Sequence, residues 1–278
     1  MLTGLFLLAF IVVAVVVYFV IPYSPLKAKF NRDIKECIER SSQVTGVLAY
    51  KEVEDLPTPV KRYLETCGYI GKPKSSHMKI SFKDVDFRLS REKPMIKMDY
   101  SQVNFVQEPD RVAFIDTRMY GIPFQGYDSL LDGAGGMKGV LAKGITLFNE
   151  TGGEMDRACL VTFLSESLLI PDAALQDYMT WKEVDKTHAK AIITYEGIEA
   201  SGLFTFSETG ELLSFSTDDR TYTSMNGERQ QVKWTALFSD YQTKDGRKQP
   251  SRLQAIWHVP EGDMIYFDGR DFRIDRLM

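Results

Sequence analysis

The groups from which metal centres, disulfide frameworks and nucleic-acid sites are built are scarce in this sequence. It has three cysteines and three histidines in 278 residues. Cys37, Cys67 and Cys159 form no CxxC pair and no regular spacing, so neither a disulfide framework nor a zinc knuckle is expected. His77, His188 and His258 lie far apart, outside any HxH or HxxxH pattern, and no metal site is expected from them. Positive charge is not in excess: the formal net charge is −4, so no global field draws a polyanion and no nucleic-acid partner is expected. There is no GxSxG elbow and no cysteine with a local histidine. The run Asp132-Gly-Ala-Gly-Gly-Met-Lys-Gly139 has Lys138 where a dinucleotide fingerprint needs glycine, and it lacks a Walker pattern. It reads as a flexible loop or a tight strand bend. No catalytic residue and no cofactor is assigned. Repeats, low-complexity tracts and Pro/Ser-rich linkers are missing as well, which favours one domain.

The sequence does have one long apolar run. Leu2 to Ile21 carries no charged side chain. At about 1.5 Å per residue, ~20 apolar residues span a ~30 Å hydrocarbon core. Tyr18 and Tyr23 fall at the level of an interfacial aromatic belt, Pro22 and Pro25 end the run, and Lys27, Lys29 and Arg32 follow. A cleaved signal peptide would have a shorter apolar region, a basic start and a small-residue cleavage site. The expectation is therefore an uncleaved single-pass anchor at 1–25, with the bilayer as a partner. The positive-inside rule favours a cytoplasmic domain. Asp33, Glu36 and Glu39 are mixed among the basic residues, and the side stays open.

Residues 26–74 read as a helical stalk or lid. Ile34, Cys37 and Ile38 recur at helical spacing after Asn31, a candidate N-cap. A second helix has Thr58 as N-cap, Pro59 at its first position, the stripe Val60, Tyr63, Leu64 and Cys67, and Gly68 as its stop. From about Ser76 the period changes to two. Residues 75–278 read as an antiparallel β domain with strands at 94–106 and 111–120. After Trp181 further strands come at 189–195, 200–206, 211–217, 220–224, 230–241, 252–258, 264–267 and 272–275. Asp245-Gly246, Glu261-Gly262 and Asp268-Gly269 are hairpin signals. The expected fold class is mainly β (α+β): a curled antiparallel meander or half-barrel with a buried helix, behind a transmembrane helix and stalk helices. Trp181, Trp234 and Trp257 read as core residues, since no basic stripe accompanies them.

The buried helix is expected at 153–169, opened by the capping box Thr151-Gly-Gly-Glu154 and ended by Pro171. On a helical wheel its apolar residues fall on two opposite faces. Leu160, Val161, Leu164 and Leu168 surround Arg157, while Met155, Cys159, Thr162 and Phe163 surround Glu166. Two apolar faces imply cover on both sides, and charges within them each need a partner. Asp128, Asp132, Asp219, Arg220 and Arg252 are candidates. Two readings follow: internal salt bridges, or polar anchors at the floor of a ligand cavity, with Arg157, Glu166, Leu160, Phe163 and Leu164 as ligand-binding residues.

Leu56-Pro-Thr-Pro-Val-Lys-Arg-Tyr-Leu64 and Cys67-Gly-Tyr-Ile-Gly-Lys-Pro73 carry a resemblance to a bacterial domain-of-unknown-function family of membrane-anchored proteins. Asp128, Gly133-Ala-Gly-Gly-Met137, Arg157, Phe163-Leu-Ser-Glu166, Pro171-Asp-Ala-Ala-Leu175, Trp181, Arg220, Trp234, Tyr241, Gly246 and Pro250 extend it over nearly all of the chain after the anchor. Val103-Asn104-Phe105-Val106 departs from the family's aromatic Phe-x-Trp strand. The resemblance implies no activity and no catalytic residues. The shape it implies is similar to the curved half-barrels of the lipoprotein-carrier type (LolA/LolB-like). Three functions remain in view: a non-enzymatic module that binds a lipid or another apolar ligand, a membrane-tethered hydrolase acting on envelope components, and a structural or assembly partner.

Overall fold

Alternating apolar and polar residues make strands when one face can be buried, and the long stretches with that pattern set this architecture. A computed structural model describes residues 2–21, 23–224 and 226–277. Four helices come first: α1 (Leu2–Val20), α2 (Pro25–Arg40), α3 (Tyr50–Val53) and α4 (Thr58–Thr66). Six strands follow: β1 (His77–Phe87), β2 (Ile96–Phe105), β3 (Arg111–Met119), β4 (Ile122–Leu131), β5 (Ala134–Leu141) and β6 (Ile145–Thr151). Then come α5 (Gly153–Glu166) and 3-10 turns at Ser167–Leu169 and Ala173–Leu175. The remaining strands are β7 (Met179–Glu183), β8 (His188–Tyr195), β9 (Ile198–Phe206), β10 (Leu212–Thr217), β11 (Thr221–Thr223), β12 (Arg229–Gln231), β13 (Trp234–Ser239), β14 (Gln242–Lys244), β15 (Arg247–Gln249), β16 (Arg252–Val259), β17 (Gly262–Arg270) and β18 (Arg273–Leu277).

One 14-stranded antiparallel sheet runs in the order β6-β5-β4-β3-β2-β1-β17-β16-β13-β10-β9-β8-β7, and β18 also pairs with β1. The outermost strands are β6 and β7, and α5 is the chain that links them. It packs on β4, β5 and β6 from one end of the sheet and on β8 and β9 from the other. A flat sheet cannot bring both ends to one helix, so the sheet curls around α5. Among the described residues no ladder joins β6 to β7, and the curl stays open. The expected half-barrel with a helix in its concave side is what the chain forms.

The two faces of the β2–β4 region carry different chemistry. Met98, Ile115 and Leu130 belong to the concave core with Leu160, Val161, Phe163 and Leu164 of α5 and Tyr63 and Leu64 of α4. Val103, Phe105, Val112, Phe114, Tyr127 and Val140 face the other way and pack with Leu26, Phe30 and Cys37 of α2. The 26–74 segment thus lies against the sheet, with α2 outside and α4 inside the curl.

Several local expectations need correction. The N-cap of α2 is Ser24, whose hydroxyl accepts from the Lys27 amide at 3.1 Å, and not Asn31. The N-cap of α4 is Pro57, with Thr58 as its first residue. The Thr151–Glu154 capping box is not formed: Thr151 pairs with Gly136 as the end of β6, and Gly152 caps α5 with φ 104° and no side-chain bond. Asp268-Gly269 lies inside β17, since Asp268 pairs across to Gln254 on β16; the β17–β18 turn is at Asp271, at φ 49°. Most of the glycine run is strand, and only its start is a turn. Asp132 and Gly133, both at positive φ, make a tight hairpin turn, and the rest is β5. A Cβ on Gly135 would lie 2.6 Å from the Met155 carbonyl and 2.7 Å from the Asp156 Cα, so the glycine is where α5 presses its backbone onto the sheet.

Candidate ligand site

Polar side chains meet α5 along one row of the concave face. Tyr100, Gln102 and Asn104 alternate along β2, and Arg111 on β3 sits directly opposite Asn104. Arg111 is 1 % exposed. It donates to Asp128 at 2.8 Å, to Gln102 Oε1 at 3.2 Å and to the Tyr100 hydroxyl, and its Nε lies 3.6 Å from Glu166 Oε2. Glu166, 7 % exposed at the end of α5, also accepts from Gln102 at 2.6 Å and Asn104 at 2.8 Å. The Cys159 thiol donates to Asp128 at 3.4 Å. Burial raises the Glu166 pKa, against the opposing pull of Arg111, Asn104 and Gln102. Burial works against the Arg111 charge as well, but Tyr100, Asp128 and Glu166 outweigh it and hold the guanidinium firmly protonated. Cys159 is pushed well above the ordinary thiol range by burial, so it is not a thiolate nucleophile. Arg111 and Glu166 are enclosed, Asp128 is the more open member, and the one guanidinium serves both carboxylates.

The sequence-derived ligand residues are therefore distributed differently from expectation. Glu166 is buried and partnered, but by Arg111, which the sequence reading did not name. Arg157 is exposed, and its expected burial is wrong. Exposure on α5 changes along the axis as well as around it: Gly153, Glu154 and Arg157 are exposed in the first turns, while every residue from Phe163 to Glu166 is buried. A helical wheel cannot show such a gradient. Leu160, Phe163 and Leu164 are fully buried core residues. The other proposed partners are engaged elsewhere. Asp132 pairs with Arg40 at 2.5 Å, Arg252 with Asp268 at 2.7 Å, and Asp219 accepts from the Ser201 amide at 2.7 Å. Arg220 lies over the rings of Trp234 and Trp257, at 4.6 and 5.3 Å from their centroids.

Open space lies where α5 emerges from the curl. A cleft of about 650 Å³ is lined by Phe148 and Glu150 of β6, Glu154, Met155 and Ala158 of α5, and Thr221, Thr223 and Arg229 of the β11–β12 hairpin. Its volume is in the ~300–1,000 Å³ range of small-molecule sites. Arg229 reaches Glu154 at 2.8 Å across it, both side chains 60 % exposed, and a pair so exposed contributes no more than about 1 kcal/mol. None of Arg157, Leu160, Phe163, Leu164 and Glu166 lines this cleft.

The histidines have separate partners: His77 stacks on Phe105, His188 meets Asp185, and His258 bridges Thr235 and Asp263. Carboxylate oxygens of Glu108, Asp110 and Asp132 lie within 4.8 Å of one another. Arg40 already sits on two of them, at 2.7 Å from Asp110 and 2.5 Å from Asp132.

Three solved structures resemble the chain in outline. A LolA superfamily protein from Nitrosomonas europaea aligns over 79 % of this chain and 93 % of its own, at 10 % identity and a TM-score of 0.37. A domain described as that of an outer membrane lipoprotein-sorting protein from Vibrio parahaemolyticus aligns over 72 % and 84 %, at 11 % identity and a TM-score of 0.36. A DUF1329 family protein from Desulfovibrio piger aligns over 91 % and 94 %, at 12 % identity and a TM-score of 0.34. No curated protein matches the chain. Residues 46–269, which leave out α1 and α2 but contain the whole site, match the model of a family of unknown function, DUF6544, and the chain belongs to that family.

Proposed function

We propose that this protein is a membrane-anchored, non-enzymatic module that holds a lipid or another apolar ligand in the cleft beside α5. The observation that carries the reading is the cleft itself. Phe148, Met155 and Ala158 give it an apolar floor, while Glu150, Glu154, Arg229 and three threonines surround it. That is the division of labour of a small-molecule site, apolar contact for affinity and a few polar groups for orientation. The β11–β12 hairpin is a two-stranded sheet of its own, and its link to α5 through Arg229 and Glu154 is weak enough to open. The anchor is α1. It is one helix long and apolar enough to cross a membrane, with none of its apolar window buried. This reading replaces the ligand set drawn from the sequence, because Leu160, Phe163 and Leu164 are committed to the core. Glu166 and Asp128 are both engaged by Arg111, so neither is a free acid or base, and the hydrolase reading gains nothing from them.

Native mass spectrometry of the detergent-extracted full chain tests the proposal. Bound lipid is expected on the wild type and not on Ala158→Trp, which fills the cleft while keeping its thermal transition. Lipid retained equally by Ala158→Trp, or none on either, overturns it. A second reading, an assembly partner without a small ligand, is favoured by the filled concave face. It is the reading left standing if both preparations are lipid-free.

A further inference from the structure

The β3–β4 and β5–β6 hairpins end on the same side of the sheet, because Phe124 at the start of β4 pairs with Leu141 at the end of β5 and the Ala142 amide donates to the Pro123 carbonyl. Their tips are apolar and bare. Tyr120 is 93 % exposed, Ile145 59 % and Leu147 49 %, with Ile122 exposed beside them. The β5–β6 tip lies alongside α1. Ala142, Gly144 and Ile145 share a groove with Phe10, Ile11, Ala14, Val15, Tyr18 and Phe19. Phe10 is roughly 16 Å from Ile21 along the helix, at about 1.5 Å per residue. The tip therefore runs beside the interior of the apolar span as well as its end.

The β5–β6 turn is built to hold that position. Ala142 and Lys143 both adopt positive φ, at 52° and 61°, a conformation that costs a side-chain-bearing residue about 1–2 kcal/mol. The turn points Lys143 at the end of α1, where its ammonium donates to the carbonyls of Tyr18 at 3.0 Å, Phe19 at 3.3 Å and Ile21 at 2.5 Å. Those carbonyls have no partners within the helix, and a cation there also favours the negative end of its dipole. The Tyr18 hydroxyl donates to the Ala142 carbonyl at 3.3 Å. Behind the tips, a polar groove of about 720 Å³ carries Lys27, Lys97 and Arg118 together with Asp99 and Asp116. The order from tip to domain is apolar side chains, then tyrosine and lysine, then mixed charge, which is the order a bilayer presents from acyl chains through headgroups to water.

We infer that the tips of the β3–β4 and β5–β6 hairpins insert into the acyl region of the leaflet around α1, so that the domain is seated on the membrane and not held off it on a tether. The inference rests on reading α1 as a membrane span, and its occupant is the lipid bilayer. Seating fixes which side of the domain faces the lipid.

Tryptophan quenching by lipids brominated on their acyl chains tests it on the full chain in phosphatidylcholine vesicles. Ile145→Trp and Leu147→Trp should each lose most of the emission they add to that of the three native tryptophans. Phe10→Trp, within α1, should be quenched as well. Val184→Trp, exposed next to β7 at the opposite edge of the sheet, should not. Unquenched emission at 145 and 147 with Phe10→Trp quenched overturns the seating and leaves the anchor standing. It is also the outcome if a second copy of the chain covers the tips. Unquenched Phe10→Trp overturns the anchor itself. Tyr120→Trp exchanges one exposed aromatic for another, so it supplies the same readout if the β5–β6 variants do not fold.

Discussion

Arg111 is the side chain on which the buried charges facing α5 depend. It contacts Asp128, Gln102, Tyr100 and Glu166 at once. Arg111→Met keeps most of the volume but leaves two carboxylates at low dielectric without their cation, and should cost about 3–5 kcal/mol in urea unfolding. Arg157→Ala, in the exposed part of α5, should change stability by less than about 0.5 kcal/mol; a loss as large as that of Arg111→Met would mean that the placement of this helix is wrong. Glu166 gives the network a pH signature. Its pKa is raised in the folded chain, chiefly by burial, so the folded state binds its proton more tightly than the unfolded state does. That contribution favours folding at low pH and is lost as pH rises from the ordinary glutamate value, about 4.3, through the raised one. Glu166→Gln should flatten this descent, measured as the difference in unfolding free energy between variant and wild type across that window. An identical slope in both would show that Glu166 titrates as an exposed group. The sequence marked Glu166 as a charge needing a partner but gave no sign of which one. Arg111 is 55 positions away on a strand, and only pairing across β2 and β3 reveals it. A fainter sign was present in Tyr100, Gln102 and Asn104, which form a polar row on one face of a strand, opposite Val103 and Phe105 at its end.

The strands β1–β3 and most of those after Trp181 were legible because period-two patterning survives one-sided burial, whereas β4 and β6 were not read as strands. The β2–β4 region shows it twice, with one face against α5 and the other against α2. What failed was information that depends on neighbours. The glycine run lacks side chains to show a period, so β5 was invisible as a strand, although its glycines are what α5 requires. Gly135 is the sharpest instance, since its absent Cβ would meet helix backbone, which cannot rotate aside. Gly135→Ala should therefore push α5 off β5 and cost about 1–3 kcal/mol, the range of overpacking. Gly153→Ala, at the start of the same helix with nothing within 4 Å of the new Cβ, should be neutral or slightly stabilising. Thermal unfolding of the two variants compares them directly. Equal behaviour would mean that α5 has room to shift at no cost.

At the scale of the whole molecule, α5 ties together two runs of strand that are otherwise joined through β1. The strands β1–β6 form one run and those from β7 onward the other, with β17 and β18 meeting β1 between them. Among the described residues their far edges do not pair, and α5 instead packs on β4, β5 and β6 of one run and on β8 and β9 of the other. Freeing the second half of this helix from its contacts requires the two runs to part, which is close to unfolding the domain. The β11–β12 hairpin is in the opposite situation: two short strands outside the main sheet, tied across the cleft by an exposed ion pair. Segments with little buried contact open locally, whereas those at the centre of the core open only with the whole. Native-state hydrogen exchange of the full chain should therefore find the amides of 221–223 and 229–231 exchanging early and those of 160–166 in the slowest class, together with Phe204 and Phe215, which are fully buried in the same core. The proposed ligand bears on the same measurement. If a lipid sits in the cleft, the wild type should protect the amides of 221–223 and 229–231 more than Ala158→Trp does, while the α5 amides stay equally slow in both. Should the α5 amides exchange as fast as the hairpin, the helix leaves as a unit and the sheet keeps its curl without it, and the account of α5 as the element that holds the two edges fails.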